Sequence, residues 1–347
     1  MTAVFYSVGQ IARLSAGLIG LSFFVVVAYA TAQCQDVAQT GQMRVLTLNV
    51  LFWEVAQREA RLERVAALIV QEDVHLILLQ EVVGGWVAGT SDSSQDLQER
   101  LAQHGLDYER ESSFETGVTD ILEVKNAILS RCPILFSRSQ TLSIVEEQTG
   151  IAAIPVRREV SMVRIQLPDL SAFNVYNTHL CAGCAPVDRL YQVEVLLAFV
   201  AELEQQLGDS PAFILGGDFN IDARLPDEAS LMAYELLGAD LVDTYAFVNG
   251  CTSCCFEMDL ADSLGCTVNV PENPFGAGEA QRIDYLFVPE GSWVPVASQV
   301  VFNGMRPDNW VSDHSGVLTT LDMKGGDVPS LAAWQPPKQA PHRFVVR

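Results

Sequence analysis

The chain has 347 residues, 49% of them apolar, and its 21 Lys and Arg against 43 Asp and Glu give a formal charge of −22. That much apolar material supports a large core and excludes a disordered acidic chain. The acidity argues against a protein that binds polyanions through bulk positive charge. It does not exclude a phosphate enzyme, because metal ions can supply positive charge locally.

Residues 1–32 are typical of a secretory signal peptide. Arg13 precedes an apolar run at 18–28, and small residues follow up to Ala32, which is the order of a leader that is removed on export. The run is shorter than the roughly 20 residues that span a bilayer. We therefore expect a secreted or periplasmic protein, with an uncleaved membrane anchor as the alternative.

All eight cysteines lie beyond this leader, and an even number in an exported chain favours disulfides. The pairs Cys181/Cys184 and Cys251/Cys254 also have the spacing of zinc ligands. The long stretch between the two pairs suits a compact zinc site poorly. Disulfides are therefore the expectation, with zinc and free buried thiols as alternatives.

After the leader and a short segment at 33–42, strand-like and helix-like patterns alternate up to residue 323. Apolar spacing predicts a helix at 58–73, and a long helix runs from Pro186 to Leu207. Buried strands are predicted at 43–52, 74–83, 126–135, 162–167, 172–180, 212–220, 282–288 and 315–323. Residues 250–279 are predicted to form a stapled loop, and 324–347 an irregular Pro-rich tail. The alternation predicts one layered α/β domain at 43–323.

Polar, metal-competent residues recur at the ends of the apolar strands. They are Asn49 in TLNV, Glu81 in LLQEV, Asn177 and His179 in YNTHL, Asp218 and Asn220 in GGDFN, Asp284 in RIDYLFV, and Asp313 and His314 in VSDHSGV. A carboxylate in a buried strand is costly unless it is paired or bound to metal. Because α/β proteins build their sites at strand ends, the pattern predicts that these residues form one site.

This series, in this order, resembles the endonuclease/exonuclease/phosphatase (deoxyribonuclease-I-like) superfamily. The resemblance covers nearly the whole chain after the leader, about 43–323. It implies an α/β fold, a four-layered α/β sandwich of two packed mixed β-sheets flanked by helices, with the site at one edge. It also implies hydrolysis of phosphodiesters or phosphomonoesters with Mg²⁺ as the cofactor. Mn²⁺ and Ca²⁺ are the alternative metals.

The resemblance implies a metal site and a general base. Glu81, Asn49 and Asp313 would bind the metal, and hard oxygen ligands suit Mg²⁺. His314 would take a proton from the attacking water. Asp284 would orient His314, as a carboxylate orients a catalytic imidazole elsewhere.

The remaining residues of the series would handle water and phosphate. Asp218 would position the water, Asn220 would donate a hydrogen bond to the phosphate, and His179 would contact a non-bridging oxygen. Asn177 and Asn126 would contact the substrate.

Several of these residues also have a structural explanation. Asn49 could be a turn residue, Asp218 could cap a turn, and His179 could be a satisfied histidine at a strand end. Asp284 could pair with its neighbour Arg282. Their occurrence together favours the site.

Further motifs resemble the neutral-sphingomyelinase-like branch of the superfamily. Arg189 and Gln192 follow NTHL, NAILSRCPI stands at 126–134, and Cys266-Thr267 precedes NPF and RIDY. A secreted Mg²⁺-dependent phosphodiesterase of sphingomyelinase type, a phospholipase C, is the resulting expectation. Trp86, Trp293 and Trp310 are candidates for a lipid-facing edge, because Trp suits membrane interfaces; a partly buried packing role is the favoured alternative for each.

The expected partner is a phosphodiester, in particular a phospholipid headgroup at a membrane surface, and no stable protein partner is implied. A secreted nuclease acting on DNA or RNA is the alternative enzyme. A non-catalytic binding protein on the same fold is the alternative from another class.

Overall fold

The computed structural model describes residues 34–51, 57–86, 92–118, 121–142, 157–207, 212–222, 227–250, 255, 265–304 and 310–324. The predicted signal peptide, almost all of the predicted tail, and Cys251 and Cys254 lie outside these residues. The helices are α1 (Gln35–Thr40), α2 (Arg58–Gln71), α3 (Ser93–Gln103), α4 (Pro186–Leu207), α5 (Glu228–Leu237) and α6 (Thr244–Asn249).

The strands are β1 (Gln42–Asn49), β2 (Leu76–Gly84), β3 (Glu109–Val118), β4 (Leu122–Ser130), β5 (Ile134–Thr141), β6 (Glu159–Gln166), β7 (Ala172–His179), β8 (Phe213–Asp218), β9 (Leu241–Asp243), β10 (Asp284–Pro289), β11 (Val294–Val301) and β12 (Gly316–Asp322). The first sheet has the order β11-β12-β1-β2-β4-β3, and the second has the order β5-β6-β7-β8-β10-β9. One pair in each sheet is parallel, β1 with β2 and β7 with β8, and the other pairs are antiparallel. Both sheets are therefore mixed.

Three apolar clusters build four layers from these elements. One cluster packs α2 and α3 on the first sheet through residues such as Ile69 and Leu97. A second joins the inner faces of the two sheets, for example Leu78 with Val175. A third packs α4 and α5 on the second sheet. The predicted four-layered α/β sandwich is confirmed.

The sequence pattern was wrong about one strand and missed others. The predicted strand at 126–135 is two strands, β4 and β5, which lie in different sheets. Pro133 stands between them, and proline cannot donate to a strand ladder. The polar strand β3, with the sequence ERESSFETGV, was not predicted, because apolar and polar residues do not alternate along it.

Three disulfides join the described cysteines: Cys34–Cys132, Cys181–Cys184 and Cys255–Cys266. The zinc alternative for Cys181 and Cys184 is therefore wrong in this structure. Such bridges are typical of an oxidising compartment. None of the helices named above combines the length with the hydrophobicity of a bilayer-spanning helix.

Candidate active site

The two parallel strand pairs meet at one end of the sandwich. Asn49 ends β1 in the first sheet, and His179 and Asp218 end β7 and β8 in the second. The Asn49 amide donates to Asp218 Oδ2 across 3.1 Å. The ends of the two sheets thus come into direct contact through predicted site residues.

Glu81 is aimed at this place by an irregularity in β2. The pairing of β2 with β4 shifts between Leu79 and Val82, and Glu81 has a φ of 55°. A bulge re-aims a side chain, and left-handed backbone at a non-glycine residue costs about 1–3 kcal/mol. The Glu81 carboxylate lies 4.0 Å from His179 Nε2. Burial raises the pKa of Glu81, and the nearby Asp313 carboxylate raises it further.

Asp218 and Asn220 are held by the turn that follows β8. Asp218 Oδ1 accepts the backbone N–H of Asn220 at 3.0 Å, and Asn220 has a φ of 51°. The Asn220 amide nitrogen donates to the carbonyl of Leu180 at 2.9 Å. This bond uses one of its two hydrogens, so the other can bond a ligand.

His314 and Asp284 form a buried pair. His314 Nδ1 lies 2.9 Å from Asp284 Oδ2, and His314 Nε2 lies 3.7 Å from Asp218 Oδ2. Burial raises the pKa of Asp284 to about 6, although His314 lowers it. Burial lowers the pKa of His314, but the carboxylates of Asp284 and Asp218 outweigh it and raise this pKa well above the usual value. The predicted pairing of base and orienting carboxylate is therefore present in the geometry, and Asp284 does not pair with Arg282, which instead binds Asp243.

His179 belongs to a second carboxylate–imidazole pair that sequence reasoning missed. Its Nε2 lies 3.4 Å from Asp218 Oδ2 and its Nδ1 lies 3.6 Å from Glu115 Oε2. Glu115 is fully buried on β3 and binds Arg158 at 2.7 Å. Burial and Arg158 lower the pKa of His179, but Glu115 and Asp218 outweigh them and raise it. The polar sequence of β3 gives no sign that Glu115 is buried.

The two predicted substrate-contacting asparagines differ in their surroundings. Asn177 donates to the carbonyls of Leu79 and Ala127 and accepts from Gln80, so its side chain ties the two sheets together behind the site. Asn126 is 0% exposed, and among the described residues neither its amide oxygen nor its nitrogen has a hydrogen-bond partner. A buried amide without a partner is costly, which suits a group that awaits a ligand. Asn126 therefore stays a candidate for substrate contact, whereas Asn177 has no remaining amide hydrogen to offer.

The donor set fits a hard divalent cation. Asp218, Asp284 and His314 place ligand atoms within 4.8 Å of one another. Two predicted ligands are the carboxylates Glu81 and Asp313, and the negative charge of Asp313 raises the pKa of Glu81. A bound cation would offset the repulsion between the two carboxylates. Since His314 already bonds Asp284, the oxygens of Glu81, Asn49 and Asp313 suit a hard divalent cation better than the set that contains the histidine.

The family model described as the Endonuclease/Exonuclease/phosphatase family matches residues 46–314. The chain therefore belongs to this family, whose members hydrolyse phosphoester bonds and usually use divalent metals. No curated protein sequence matches the chain at a significant level.

Solved structures have the same fold. An endonuclease/exonuclease/phosphatase family protein from Leptotrichia buccalis superposes with a TM-score of 0.60 at 22% identity, over 80% of this chain and 99% of that one. TDP2 of D. rerio, complexed with single strand DNA product, gives 0.57 at 16% identity, over 81% and 98%. A mannosyl-6-phosphatase of Bacteroides thetaiotaomicron gives 0.54 at 18% identity, over 80% and 99%. At these identities the likeness establishes the fold.

Proposed function

We propose that this protein is a secreted, Mg²⁺-dependent phosphodiesterase of the sphingomyelinase type, a phospholipase C. The observation that carries the hydrolytic part is the buried Asp284–His314 pair, whose other imidazole nitrogen, Nε2, lies 3.7 Å from Asp218 Oδ2. An imidazole fixed by a carboxylate on one nitrogen and free on the other is suited to general-base chemistry.

In this proposal each side chain acts at a stated atom. His314 Nε2 takes the proton from the attacking water, and Asp284 stabilises the resulting imidazolium. Asp218 holds the water, while His179 and Asn220 contact phosphoryl oxygens. Glu81, Asn49 and Asp313 would hold Mg²⁺, which when bound stabilises negative charge on those oxygens.

The choice of a lipid substrate rests on the surface and on charge. Trp86 follows the strand that carries Glu81 and is 80% exposed, and Ile121, whose backbone carbonyl lies beside Gly85, is 51% exposed. Exposed Trp is typical of proteins that meet a membrane interface. A chain with a formal charge of −22 is repelled by polyanions and anionic lipids, whereas a zwitterionic headgroup imposes no such demand. Trp293 supports no lipid contact, because it packs edge-on against Phe173 at 4.8 Å.

Export is supported by the predicted leader together with the three disulfides. The domain bounds at 43–323 remain a prediction, and the match to the family at 46–314 lies within them.

A substrate panel tests the proposal. The purified chain from residue 33 is expected to release phosphocholine from sphingomyelin vesicles with Mg²⁺ and to stop when the metal is chelated. His314→Ala should lower turnover by about 10²- to 10⁴-fold, and His104→Ala, at an exposed histidine directly after α3, should not. Cleavage of plasmid or single-stranded DNA without lipid turnover would instead establish a nuclease, the alternative that the TDP2 likeness favours.

The lipid arm has its own matched control. Trp86→Ser should lower turnover of vesicles but not of a water-soluble phosphocholine ester. Leu170→Ser removes another exposed apolar side chain, 73% exposed in the turn before β7, at the end of β7 opposite His179. It should leave both rates unchanged. Equal losses for both variants, or a loss on the soluble ester, would contradict a membrane-facing edge at Trp86.

A further inference from the structure

Thr267 joins the two chain segments that carry the Asp284–His314 pair. Its backbone N–H donates to the carbonyl of Gln281 at 2.7 Å, and its carbonyl accepts from the backbone N–H of Ser315 at 2.6 Å. Its hydroxyl oxygen accepts two further backbone N–H groups, those of Ile283 at 3.0 Å and Asp284 at 3.1 Å. Thr267 is fully buried, so water cannot replace these bonds. One residue thus fixes the spacing between both halves of the pair.

Asn273 lies in the same segment as Thr267, residues 266–273, and it also bonds the chain that carries His314. Its amide nitrogen donates to the carbonyls of Ser312 at 2.9 Å and Asp313 at 3.3 Å, and its amide oxygen accepts the backbone N–H of Phe275. The backbone N–H of Asn269 also donates to the carbonyl of Asp313. The turn that presents Asp313 and His314 is therefore held by residues 267–273.

The segment itself has little regular structure and depends on its anchors. Within the described residues it forms only isolated bridges, Val268 with Gln281 and with His314. The disulfide Cys255–Cys266 ends directly before Thr267, and an apolar cluster around Cys266 and Val270 buries its inner side. A segment anchored in this way can fix the positions of the Asp284 and His314 side chains, and catalysis depends on such fixed positions.

We propose that Thr267 and Asn273 are positioning residues that set the geometry of the Asp284–His314 pair through the Cys255–Cys266-anchored segment. The inference rests on the proposed hydrolytic function of this pair. Thr267 and Asn273 touch no reacting atom, so they should act on the rate of the chemical step and little on substrate binding.

Thr267→Val tests this with a side chain of nearly the same shape that lacks the hydroxyl. On a chromogenic phosphodiester with Mg²⁺, kcat should fall about 10- to 100-fold with KM nearly unchanged, and Thr267→Ser should restore most of the rate. Thr319→Val is the matched control, because Thr319 is equally buried and lies on β12, away from the site. Its hydroxyl forms hydrogen bonds with the hydroxyls of Thr244 and Ser298. The control variant should lower the melting temperature and leave kcat unchanged.

A second pair of variants covers the case in which Thr267→Val does not fold. Asn273→Ala should lower kcat, whereas Asn269→Gly, in the same segment, should not. Within the part of the chain that the structure describes, the Asn269 side chain bonds Ala277 and Glu279 and no residue of the site, and glycine accepts its φ of 51°. Equal kcat values for Asn273→Ala and wild type would overturn the inference.

A spectroscopic signature separates this inference from the proposed function. The low-field proton resonance of the hydrogen-bonded imidazole should be present in the wild type and absent in His314→Ala. It should shift or broaden in Thr267→Val and return in Thr267→Ser. If the wild type hydrolyses no phosphoester, the proposed function fails, and the resonance still decides the positioning role. An unchanged resonance in Thr267→Val would overturn that role.

Discussion

Asp218 Oδ2 is the atom around which the candidate site is arranged. It accepts from Asn49 at 3.1 Å and lies 3.4 Å from His179 Nε2 and 3.7 Å from His314 Nε2. Each of these imidazoles has a carboxylate at its other nitrogen, Glu115 and Asp284 respectively. One carboxylate oxygen therefore faces two buried imidazoles, an arrangement that can hold protons at the candidate site.

The Asp284–His314 pair is expected to act as a unit. His314→Ala should lower kcat by about 10²- to 10⁴-fold, the usual contribution of a general base, and Asp284→Asn should lower it similarly, because it no longer fixes the imidazole. The double variant should lose little more than the worse single variant. Steady-state kinetics on a phosphodiester measure this, and additive losses would show that the two residues work independently.

Glu115 is expected to matter for activity as well as for stability. Glu115→Gln removes the charge that binds Arg158 and that raises the pKa of His179, so His179 should lose its proton at a lower pH than in the wild type. The free energy of unfolding should fall by about 3–5 kcal/mol, the cost of breaking a buried ion pair from one side. Adding Arg158→Met should recover much of the stability but not kcat/KM. Full recovery of both would limit Glu115 to a structural role.

The backbones of the parallel strands β7 and β8 approach each other closely near the ends that carry His179 and Asp218. Gly217 has a φ of 142°, and a Cβ there would lie 2.0 Å from the carbonyl oxygen of Thr178. No side chain fits, so the strand that carries Asp218 can lie against the strand that carries His179 only with glycine at this position.

Gly217→Ala should therefore cost about 2–5 kcal/mol of folding stability, from steric overlap and strained backbone together. It should also abolish turnover, since relief of the overlap must separate His179 from Asp218. Gly238→Ala is the matched control: its φ is −75°, and its nearest neighbour to a Cβ is at 3.4 Å. Denaturant unfolding should place that variant within about 1 kcal/mol of wild type.

Strand β3 of the first sheet contacts β6 of the second around polar side chains, among them Ser113, Glu115 and Glu159. Burial raises the pKa of Glu159, on β6, to about 7. A carboxyl group whose pKa is higher in the folded state than in the unfolded state binds more protons when folded, so stability falls as pH rises between the two values.

The free energy of unfolding of the wild type should therefore decrease by about 1–3 kcal/mol relative to Glu159→Gln as pH rises from about 4.5 to about 8. Denaturant titrations at several pH values measure the difference between the two proteins. Glu202→Gln, at an exposed position on α4, should give no such difference. Parallel pH profiles for wild type and Glu159→Gln would contradict the raised pKa.

The two sheets repeat one arrangement of strands. The series β1-β2-β4-β3 and β7-β8-β10-β9 have the same order, and their parallel pairs occupy the same place. Equivalent strands supply Asn49 and His179, Glu81 and Asp218, and Asn126 and Asp284. Each sheet therefore carries half of the site, and the site forms only when the sheets pack against each other.

The disulfide Cys34–Cys132 reinforces that packing where the chain crosses from β4 to β5. It joins cysteines 98 residues apart. Replacing both by serine should lower the free energy of unfolding by about 2–5 kcal/mol, because closing a long loop removes much conformational entropy from the unfolded chain. The corresponding change at Cys181 and Cys184, separated by 3 residues, should cost less. Urea midpoints compare the two, and the reverse ranking would contradict the entropic explanation.

Local pattern was enough to predict the main elements and the family to which the chain belongs. The helix at 186–207 matches α4 at both ends, because proline and an apolar stripe are signals within one element. The strand-end residues were recognised because buried carboxylates and histidines are costly without a role. Glu115 and Arg158 were missed, because neither residue lies in a segment whose own sequence marks it as buried.

Through-space relations were decided by the tertiary structure alone. Asn49 and Asp218 are 169 residues apart and touch, and Asn177 and Asn126 have opposite surroundings although both lie on buried strands. The amino-acid sequence determines which residues can do chemistry and which strands bury them. Strand register, the bulge at Glu81 and the packing of two sheets determine which of those side chains meet, because these depend on contacts between segments that are remote in the chain.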